Sequence, residues 1–225
     1  MKNLFLFPSA ICAFISNDVK AQSVIFTKGN IEPVHVSASL EDLMGKKAVK
    51  VIKDSTLNGS DEPTFVKIRG ISFKNGTIEV KVLSRLLKNA PDYARGFIGI
   101  AFRINDSNTK FESIYLRPVN ARVNDQIRRN HSIQYFSYPG FTFDRLRKES
   151  PERYESYTDM EMNSWITMRI EVMDTQARLF INNNPQPSLI VNDLKLGKDV
   201  SGSVGFWVDA GTEGYFSELK ISESH

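Results

Sequence analysis

Apolar and polar residues alternate with a period of two along most of the chain. The segments "GTIEVKVLS" (76–84), "FIGIAFRI" (97–104) and "WITMRIEVM" (165–173) place an apolar side chain at nearly every second position. This alternation predicts strands that turn one face towards a core. Shorter segments with the same character are Val34–Ser39, Ala48–Lys53, Thr64–Arg69, Phe111–Arg117, Ser132–Tyr138, Ala177–Asn182, Ser203–Val208 and Gly214–Ile221.

Turn-forming residues separate these segments, as at Asn58-Gly59 and Asn75-Gly76. Helices are expected only at Leu40–Met44 and Phe143–Tyr154. A chain of many short strands with little helix predicts an all-β fold, a sandwich of two antiparallel sheets in a jelly-roll arrangement. The long polar and aromatic stretch Pro118–Ser164 interrupts the pattern, and a stretch of this kind is expected to serve function.

The first 21 residues have a character of their own. Lys2 precedes an apolar run from Leu4 to Ile15, and the segment ends in Val19-Lys20-Ala21. This order predicts a signal peptide at residues 1–21, with cleavage after Ala21. The apolar run is too short to be a membrane span, so we expect a protein secreted to the bacterial periplasm or exterior.

Residues 22–225 are expected to form one domain, because β-sandwiches of this length are often undivided. The hydrophobic fraction of 41% and charged fraction of 24% are typical of a globular protein. The formal charge is +3, and it falls to +2 without the leader. That charge is too small to indicate nucleic acid as a partner. Cys12, the sole cysteine, lies in the leader, so no disulfide is expected in the mature domain.

Four segments carry a family resemblance: "FKNGTIEVKV", "GFIGIAFRI…FESIYLRP", "WITMRIEVM…ARLFINNNPQPSLIV" and "SGSVGFWVDAGTEGYFSELKIS". Together they resemble the concanavalin A-like lectin/glucanase domains over residues 64–222, and in particular the laminin-G-like modules and the 3-keto-disaccharide hydrolase domains of secreted bacterial proteins. The resemblance implies two curved sheets with the ligand on the concave one. Fold alone does not fix function.

Strand alternation separates core positions from a second face. Ile98, Ile100 and Phe102 point to the core, provided that no bulge interrupts the strands. The opposite face collects aromatic rings and planar polar groups, which together suit a sugar. The predicted ligand-binding residues are Arg103, Tyr115, Arg117, Asn120, Arg129, Asn130, Gln134 and Trp207. The alternative is a purely structural role, in which the rings pack at the rim of the sheet and the aliphatic parts of the arginine side chains cover apolar surface.

Positive charge concentrates in residues 117–153, which hold eight basic and four acidic side chains. Such a concentration favours an anionic sugar. Salt bridges within the segment, such as Arg145 or Arg147 with Glu149, are the alternative.

The expected function is carbohydrate binding or processing by a lectin-like domain. Glycoside hydrolysis needs a pair of carboxylates, and the Glu-x-Asp-x-x-Glu run of lectin-fold glucanases is absent. If the protein is an enzyme, we expect a glycan lyase or keto-glycoside-cleaving activity with His131 and Tyr138 as catalytic residues. A protein-binding laminin-G-like module is a further alternative. The oligomeric state stays open.

No cofactor is predicted. The histidines are His35, His131 and His225, and the mature chain has no cysteine, so the ligands of a zinc site are lacking. A structural calcium, frequent in this fold, could use Asp209 or loop carbonyl groups, although no ligand spacing supports it.

Overall fold

The computed structural model describes residues 21–224. The strands are β1 (Gln22–Ser23), β2 (Ile31–Val34), β3 (Val36–Leu43), β4 (Lys46–Lys53), β5 (Phe65–Phe73), β6 (Gly76–Leu86), β7 (Ile98–Ile104), β8 (Phe111–Leu116), β9 (Ile133–Tyr138), β10 (Glu155–Ser156), β11 (Ile166–Met173), β12 (Gln176–Ile181), β13 (Leu189–Val191), β14 (Gly202–Val208) and β15 (Thr212–Glu223). The helices are α1 (Pro118–Ala121), α2 (Gln126–Asn130) and α3 (Phe143–Glu149). Apart from Ala21, the predicted signal peptide lies outside the described residues.

The strands form two antiparallel sheets. One has the order β13-β12-β11-β6-β15-β4-β3, with β1 paired to β15, and the other has the order β10-β9-β8-β7-β14-β5-β2. Strands adjacent in the sheet are often distant in sequence, as for β14 between β5 and β7. The predicted two-sheet antiparallel sandwich is confirmed. None of the helices in residues 21–224 has the length and hydrophobicity of a membrane span.

The helix expected at Leu40–Met44 is wrong, because this segment belongs to a hairpin. Leu40 pairs with Val49 across β3 and β4, and Met44 and Gly45 form the turn with φ angles of 49° and 76°. Two consecutive positive φ angles are characteristic of the type I′ turn that matches the twist of a hairpin. In the segment Phe143–Tyr154 the helix ends at Glu149, the last residue of α3.

The inward residues of both sheets form one apolar core. Ile98, Ile100 and Phe102 are fully buried, as the alternation predicted. Across the sandwich, the rings of Phe206 and Phe216 stack with centroids 4.5 Å apart and planes at 9°. Each such buried side chain contributes roughly 1.5–3 kcal/mol of hydrophobic stabilisation.

The other face of the seven-stranded sheet is covered rather than open. Trp207 donates its indole N–H to the carbonyl of Glu62 at 2.9 Å, which holds the β4–β5 loop (residues 54–64) over the sheet. At the start of α3, the backbone N–H of Phe143 donates to Oδ2 of Asp61 at 2.6 Å. The loop and α3 therefore bury an aromatic layer in which Tyr115 and Trp207 lie 4.7 Å apart, centroid to centroid.

Candidate functional site

A cavity of about 580 Å³ remains at one end of this covered face. Its walls come from the β4–β5 loop, the β6–β7 connection, the end of β8, α1, α2 and α3. Four arginines and four aromatic rings dominate the lining, with several amide and carboxyl groups between them. The residues that line the cavity include Asn58, Asp61, Tyr93, Arg95, Phe97, Tyr115, Arg117, Asn120, Arg128, His131, Phe143, Arg147 and Asp209.

Arg117 is fixed at the cavity wall by several partners. Its Nη2 donates to the hydroxyl of Tyr115 at 2.6 Å, and its Nη1 donates to Glu155 at 3.1 Å. The guanidinium also lies 5.3 Å from the ring centroid of Phe143, within cation–π range. Because burial raises the pKa of Tyr115 well above its usual value, the phenol stays protonated. Arg117 therefore holds the Tyr115 ring and hydroxyl in one orientation.

Arg95 and Arg128 differ from Arg117 in having no carboxylate within salt-bridge distance in the described part of the chain. Nη1 of Arg95 donates to the carbonyls of Asp92 and Ala94, at 2.6 and 2.8 Å. Arg128 donates to Oδ1 of Asn120 at 3.2 and 3.3 Å. Burial and the charges of Arg128 and Arg117 lower the pKa of Arg95. The cavity thus concentrates positive charge that the neighbouring side chains do not neutralise.

Asp61 presents a buried carboxyl group to this cavity. The residue is 1% exposed, and its backbone has a φ of 56°, which is uncommon for a residue other than glycine. Its pKa is raised to about 7, chiefly by burial and further by the charge of Asp209, although the Phe143 N–H and Arg117 oppose the shift. At neutral pH a large share of the Asp61 side chains therefore carries a proton.

The raised pKa of Asp61 predicts a pH-dependent stability. The folded protein keeps this proton up to about pH 7, whereas the unfolded chain loses it near 3.8. Between these values the folded state binds more protons, so this group makes stability fall as pH rises, by at most about 1.4 kcal/mol per pH unit. Urea unfolding across this range should show stability falling more steeply, or rising less steeply, with pH in wild type than in Asp61→Asn, because other shifted groups contribute equally to both proteins. Equal slopes would contradict the assignment.

His131 lies at the cavity wall beside an ion-pair cluster. Its Nε2 lies 3.5 Å from Oε2 of Glu155. Burial and the charges of Arg147 and Arg117 lower the pKa of His131, although Glu155 opposes them. Burial alone would raise the pKa of Glu155, but its pairs with Arg147 and Arg117 outweigh burial and lower it. At neutral pH, His131 is therefore an uncharged imidazole beside an ionised carboxylate.

Of the ten predicted site residues, four line the cavity. These are Tyr115, Arg117, Asn120 and His131. Asn120 contributes a carboxamide whose Nδ2 donates to the carbonyl of His131 at 3.2 Å. The chain connects β8 to β9 through α1 and α2, and this connection carries Asn120 and His131 to the end of the sheet where Tyr115 and Arg117 lie. Their roles in binding or catalysis stay predictions.

Four other predicted residues lie near the cavity without lining it. Gln134 and Trp207 are fully buried beneath it, and Gln134 accepts a hydrogen bond from Arg117 at 3.3 Å. Arg129 donates to the hydroxyl of Tyr157 at 2.8 Å. Asn130 lines a smaller surface cleft of about 250 Å³. The direct ligand contacts expected for Gln134 and Trp207 do not fit their burial.

The expected outward position of Arg103 is wrong. Its φ of 55° and a register shift in the pairing of β7 with β14 break the strand alternation at this residue. The side chain is fully buried and lies 3.5 Å from Glu112. It also donates to the carbonyls of Lys74, Asp174 and Gly197, at 2.8–3.1 Å.

The catalytic pair expected from His131 and Tyr138 is not assembled. Tyr138 ends β9, and its ring stacks on Phe111 with centroids 5.4 Å apart. His131 precedes the other end of the same strand, which spans about 17 Å from Ile133 to Tyr138. Two side chains at opposite ends of one strand cannot act on one bond.

The sequence prediction missed several residues of the cavity. Asp61 lies in the loop segment "NGSDEP", whose composition indicates only a turn. Arg95 alternates with Tyr93 and Phe97 in "DYARGF". That alternation of an arginine with rings in a connection between strands is the one local signal for a ligand-facing segment.

A calcium ion does not fit the oxygens of Asp209. Oδ1 accepts from Nζ of Lys53 at 2.5 Å and from the N–H of Ala210 at 2.7 Å. Oδ2 accepts from the N–H of Asp61 at 3.3 Å. In residues 21–224, no cluster of three His, Cys, Asp or Glu residues could hold a metal.

No family model and no curated protein matches the sequence. Solved structures do resemble the fold. The carbohydrate binding module CBM66 from Bacillus subtilis has a TM-score of 0.52 at 13% identity, covering 84% of this chain and 97% of that one. A protein of unknown function with a galectin-like fold from Bacillus subtilis has a TM-score of 0.54 at 10% identity, with coverage of 87% and 90%. A Bacillus licheniformis beta-glucanase has a TM-score of 0.50 at 10% identity, with coverage of 91% and 98%.

These likenesses concern the fold. At such low identity, a shared architecture does not transfer an activity or a site. What the similarities do show is the fold: the chain has a concanavalin A-like jelly-roll fold, as its sequence resemblance implied.

Proposed function

We propose that this protein is a lectin-like domain that binds an acidic carbohydrate in the cavity, with a uronate carboxylate as the anionic group. The observation that carries the proposal is the pair Arg95 and Arg128, two guanidinium groups that face the cavity without a carboxylate partner among residues 21–224. A planar carboxylate fits a guanidinium in a two-pronged hydrogen bond. Carbohydrate recognition also agrees with the nature of two proteins of similar fold, a carbohydrate binding module and a beta-glucanase.

Rings and amides of the cavity suit the remainder of a sugar. Tyr93 is 61% exposed at the mouth, and Phe97 and Phe143 line the wall. The C–H face of a pyranose packs on such rings, while the carboxamides of Asn58 and Asn120 can donate to and accept from its hydroxyl groups. The volume of about 580 Å³ lies in the range of small-ligand cavities. We infer that it admits a short segment of a glycan.

We also propose that the protein acts outside the cytoplasm. The support is the charge and apolar order of residues 1–21. The first strand, β1, begins at Gln22, the residue that follows the predicted cleavage point, and it pairs with β15. Cleavage there would leave this pairing intact.

A paired titration tests the proposed ligand class. Residues 22–225 would be titrated calorimetrically with oligogalacturonate, oligomannuronate and oligoguluronate, each beside its methyl ester, which has the same sugars without the charge. We expect one acidic oligomer to bind at least 10-fold more tightly than its ester, because the ester has no carboxylate to pair with the arginines. Equal affinity of acid and ester would contradict the anionic ligand, and no binding of any oligomer would contradict carbohydrate recognition.

A further inference from the structure

We propose that the cavity is also catalytic, with His131 and Asp61 cleaving the glycosidic bond of a bound 4-O-linked uronate by β-elimination. This inference rests on the proposed function, because the substrate is the same acidic carbohydrate. It replaces the pair His131 and Tyr138 with a pair that faces one cavity.

Asp61 has the geometry of a proton donor. Its Oδ2 accepts the Phe143 N–H, while its Oδ1 has no hydrogen-bond partner among the described residues. The residue is 1% exposed and lines the cavity. Its proton therefore belongs on Oδ1, the oxygen left to meet a ligand. The loop also holds Asp61 at a positive φ, and an uncommon backbone conformation is a feature that recurs at functional sites.

His131 has the properties of the base. The groups that face it are Glu155 and Glu152 on one side and the guanidinium groups of Arg147 and Arg117 on the other. Burial and the two guanidinium groups lower the pKa of His131 against the opposing effect of the two glutamates, so the imidazole is free to accept a proton at neutral pH. A proton donor and a proton acceptor whose environments shift their pKa values in opposite directions form the pattern expected of an acid–base pair.

The arginines supply the electrostatic part of this chemistry. A hydrogen next to a carboxylate is weakly acidic, because its removal adds negative charge to a group that is already anionic. Arg95 and Arg128 have no carboxylate partner within residues 21–224, so their guanidinium groups can hold that carboxylate and stabilise the charge that develops on it. The positive charge of the cavity thereby has a catalytic use beyond binding.

The elimination requires no co-reactant. His131 takes the proton from C5, and the C5–H electron pair forms the C4=C5 double bond. The C4–O bond breaks with its electrons going to the leaving oxygen, which takes the proton of Asp61. The products are a new non-reducing end with a C4=C5 double bond and a free hydroxyl group. Proton exchange with water then restores both residues.

Hydrolysis fits the cavity less well. It calls for a second free carboxylate as nucleophile or base. The other carboxylate of the lining is Asp209, and both of its oxygens already accept hydrogen bonds from Lys53, Ala210 and Asp61. Elimination needs no second carboxylate.

The test uses residues 22–225 with polygalacturonate, polymannuronate and polyguluronate as probes, followed by the ultraviolet absorbance of the unsaturated uronate product. We expect wild type to form this product from at least one polymer. Asp61→Asn and His131→Gln should each lower the rate about 100-fold or more while changing the affinity for the cognate oligomer less than about 3-fold. Asp106→Asn, an exposed aspartate on the β7–β8 loop, should leave the rate unchanged.

The pH profile separates a proton-transfer role from a structural one. Wild-type activity should fall at high pH as Asp61 ionises and at low pH as His131 becomes protonated. The residual activity of Asp61→Asn should lack the decline at high pH. Reducing ends without unsaturated product, or a full rate in Asp61→Asn, would overturn the elimination. Binding without any turnover would overturn the elimination but not the proposed binding function. The absence of binding would contradict both proposals.

Discussion

Replacing Arg103 with leucine is expected to lower the free energy of unfolding by about 3–5 kcal/mol. The guanidinium is fully buried between the sheets and lies 3.5 Å from Glu112, which is equally buried. Burial lowers the pKa of Arg103 and raises that of Glu112, so each group is costly to bury without the other. After the substitution, Glu112 is a buried carboxyl group without a counter-charge. It also removes the donors that serve three backbone carbonyls.

Urea unfolding measures this loss, and a second variant separates its causes. Arg103→Leu/Glu112→Gln removes both charges but retains an acceptor for the hydroxyl of Tyr135 and the N–H of Leu196, the present partners of Glu112. The double variant should be more stable than Arg103→Leu alone, because no unpaired charge stays buried. If Arg103→Leu cost less than about 1 kcal/mol, the ion pair would not have the structural role assigned to it.

Replacing Arg95 and Arg128 together with glutamine is expected to weaken binding of the acidic oligomer by about 100-fold or more. Truncating one partner of a desolvated charge pair costs about 2–5 kcal/mol, and both guanidinium groups meet the carboxylate in this account. Glutamine retains an amide donor for Asn120, the present partner of Arg128. Since neither arginine has a carboxylate partner within residues 21–224, the melting temperature should change little. Calorimetric titration and thermal unfolding measure the two effects.

Arg129 provides the matched control. It neighbours Arg128 on α2, but its guanidinium contacts Tyr157 outside the cavity. Arg129→Gln removes the same charge from the same helix and should alter affinity by no more than about 2-fold, as expected for a screened surface charge. An equal loss in Arg129→Gln and Arg128→Gln would mean that net charge, and not the cavity, attracts the ligand.

Strand alternation predicted the sheets because each strand carries its own periodic signal. Ile98, Ile100 and Phe102 could be assigned to the core from sequence alone, since the burial of alternate side chains is a local property of a strand. Arg103 could not be placed in this way. Its position depends on a positive φ angle and a shift of register against β14, which lies about a hundred residues further along the chain.

The site was predictable only in part. The connection between β8 and β9 is rich in charge, and this drew attention to Arg117, Asn120 and His131, which do line the cavity. The cover over Tyr115 and Trp207 could not be foreseen, because it depends on tertiary contacts of the β4–β5 loop. The same contacts carry Asp61 into the cavity, so its altered pKa has no signature in the sequence.

A crystal structure of residues 22–225 with the acidic oligomer that binds most tightly would show whether the cavity holds the sugar. We expect the sugar in the cavity beneath the β4–β5 loop, with its carboxylate about 2.7–2.9 Å from the guanidinium nitrogens of Arg95 or Arg128. A pyranose ring should pack on Tyr93 or Phe143. An oligomer bound on the outer face of either sheet, with the cavity lacking sugar at saturating concentration, would contradict the account.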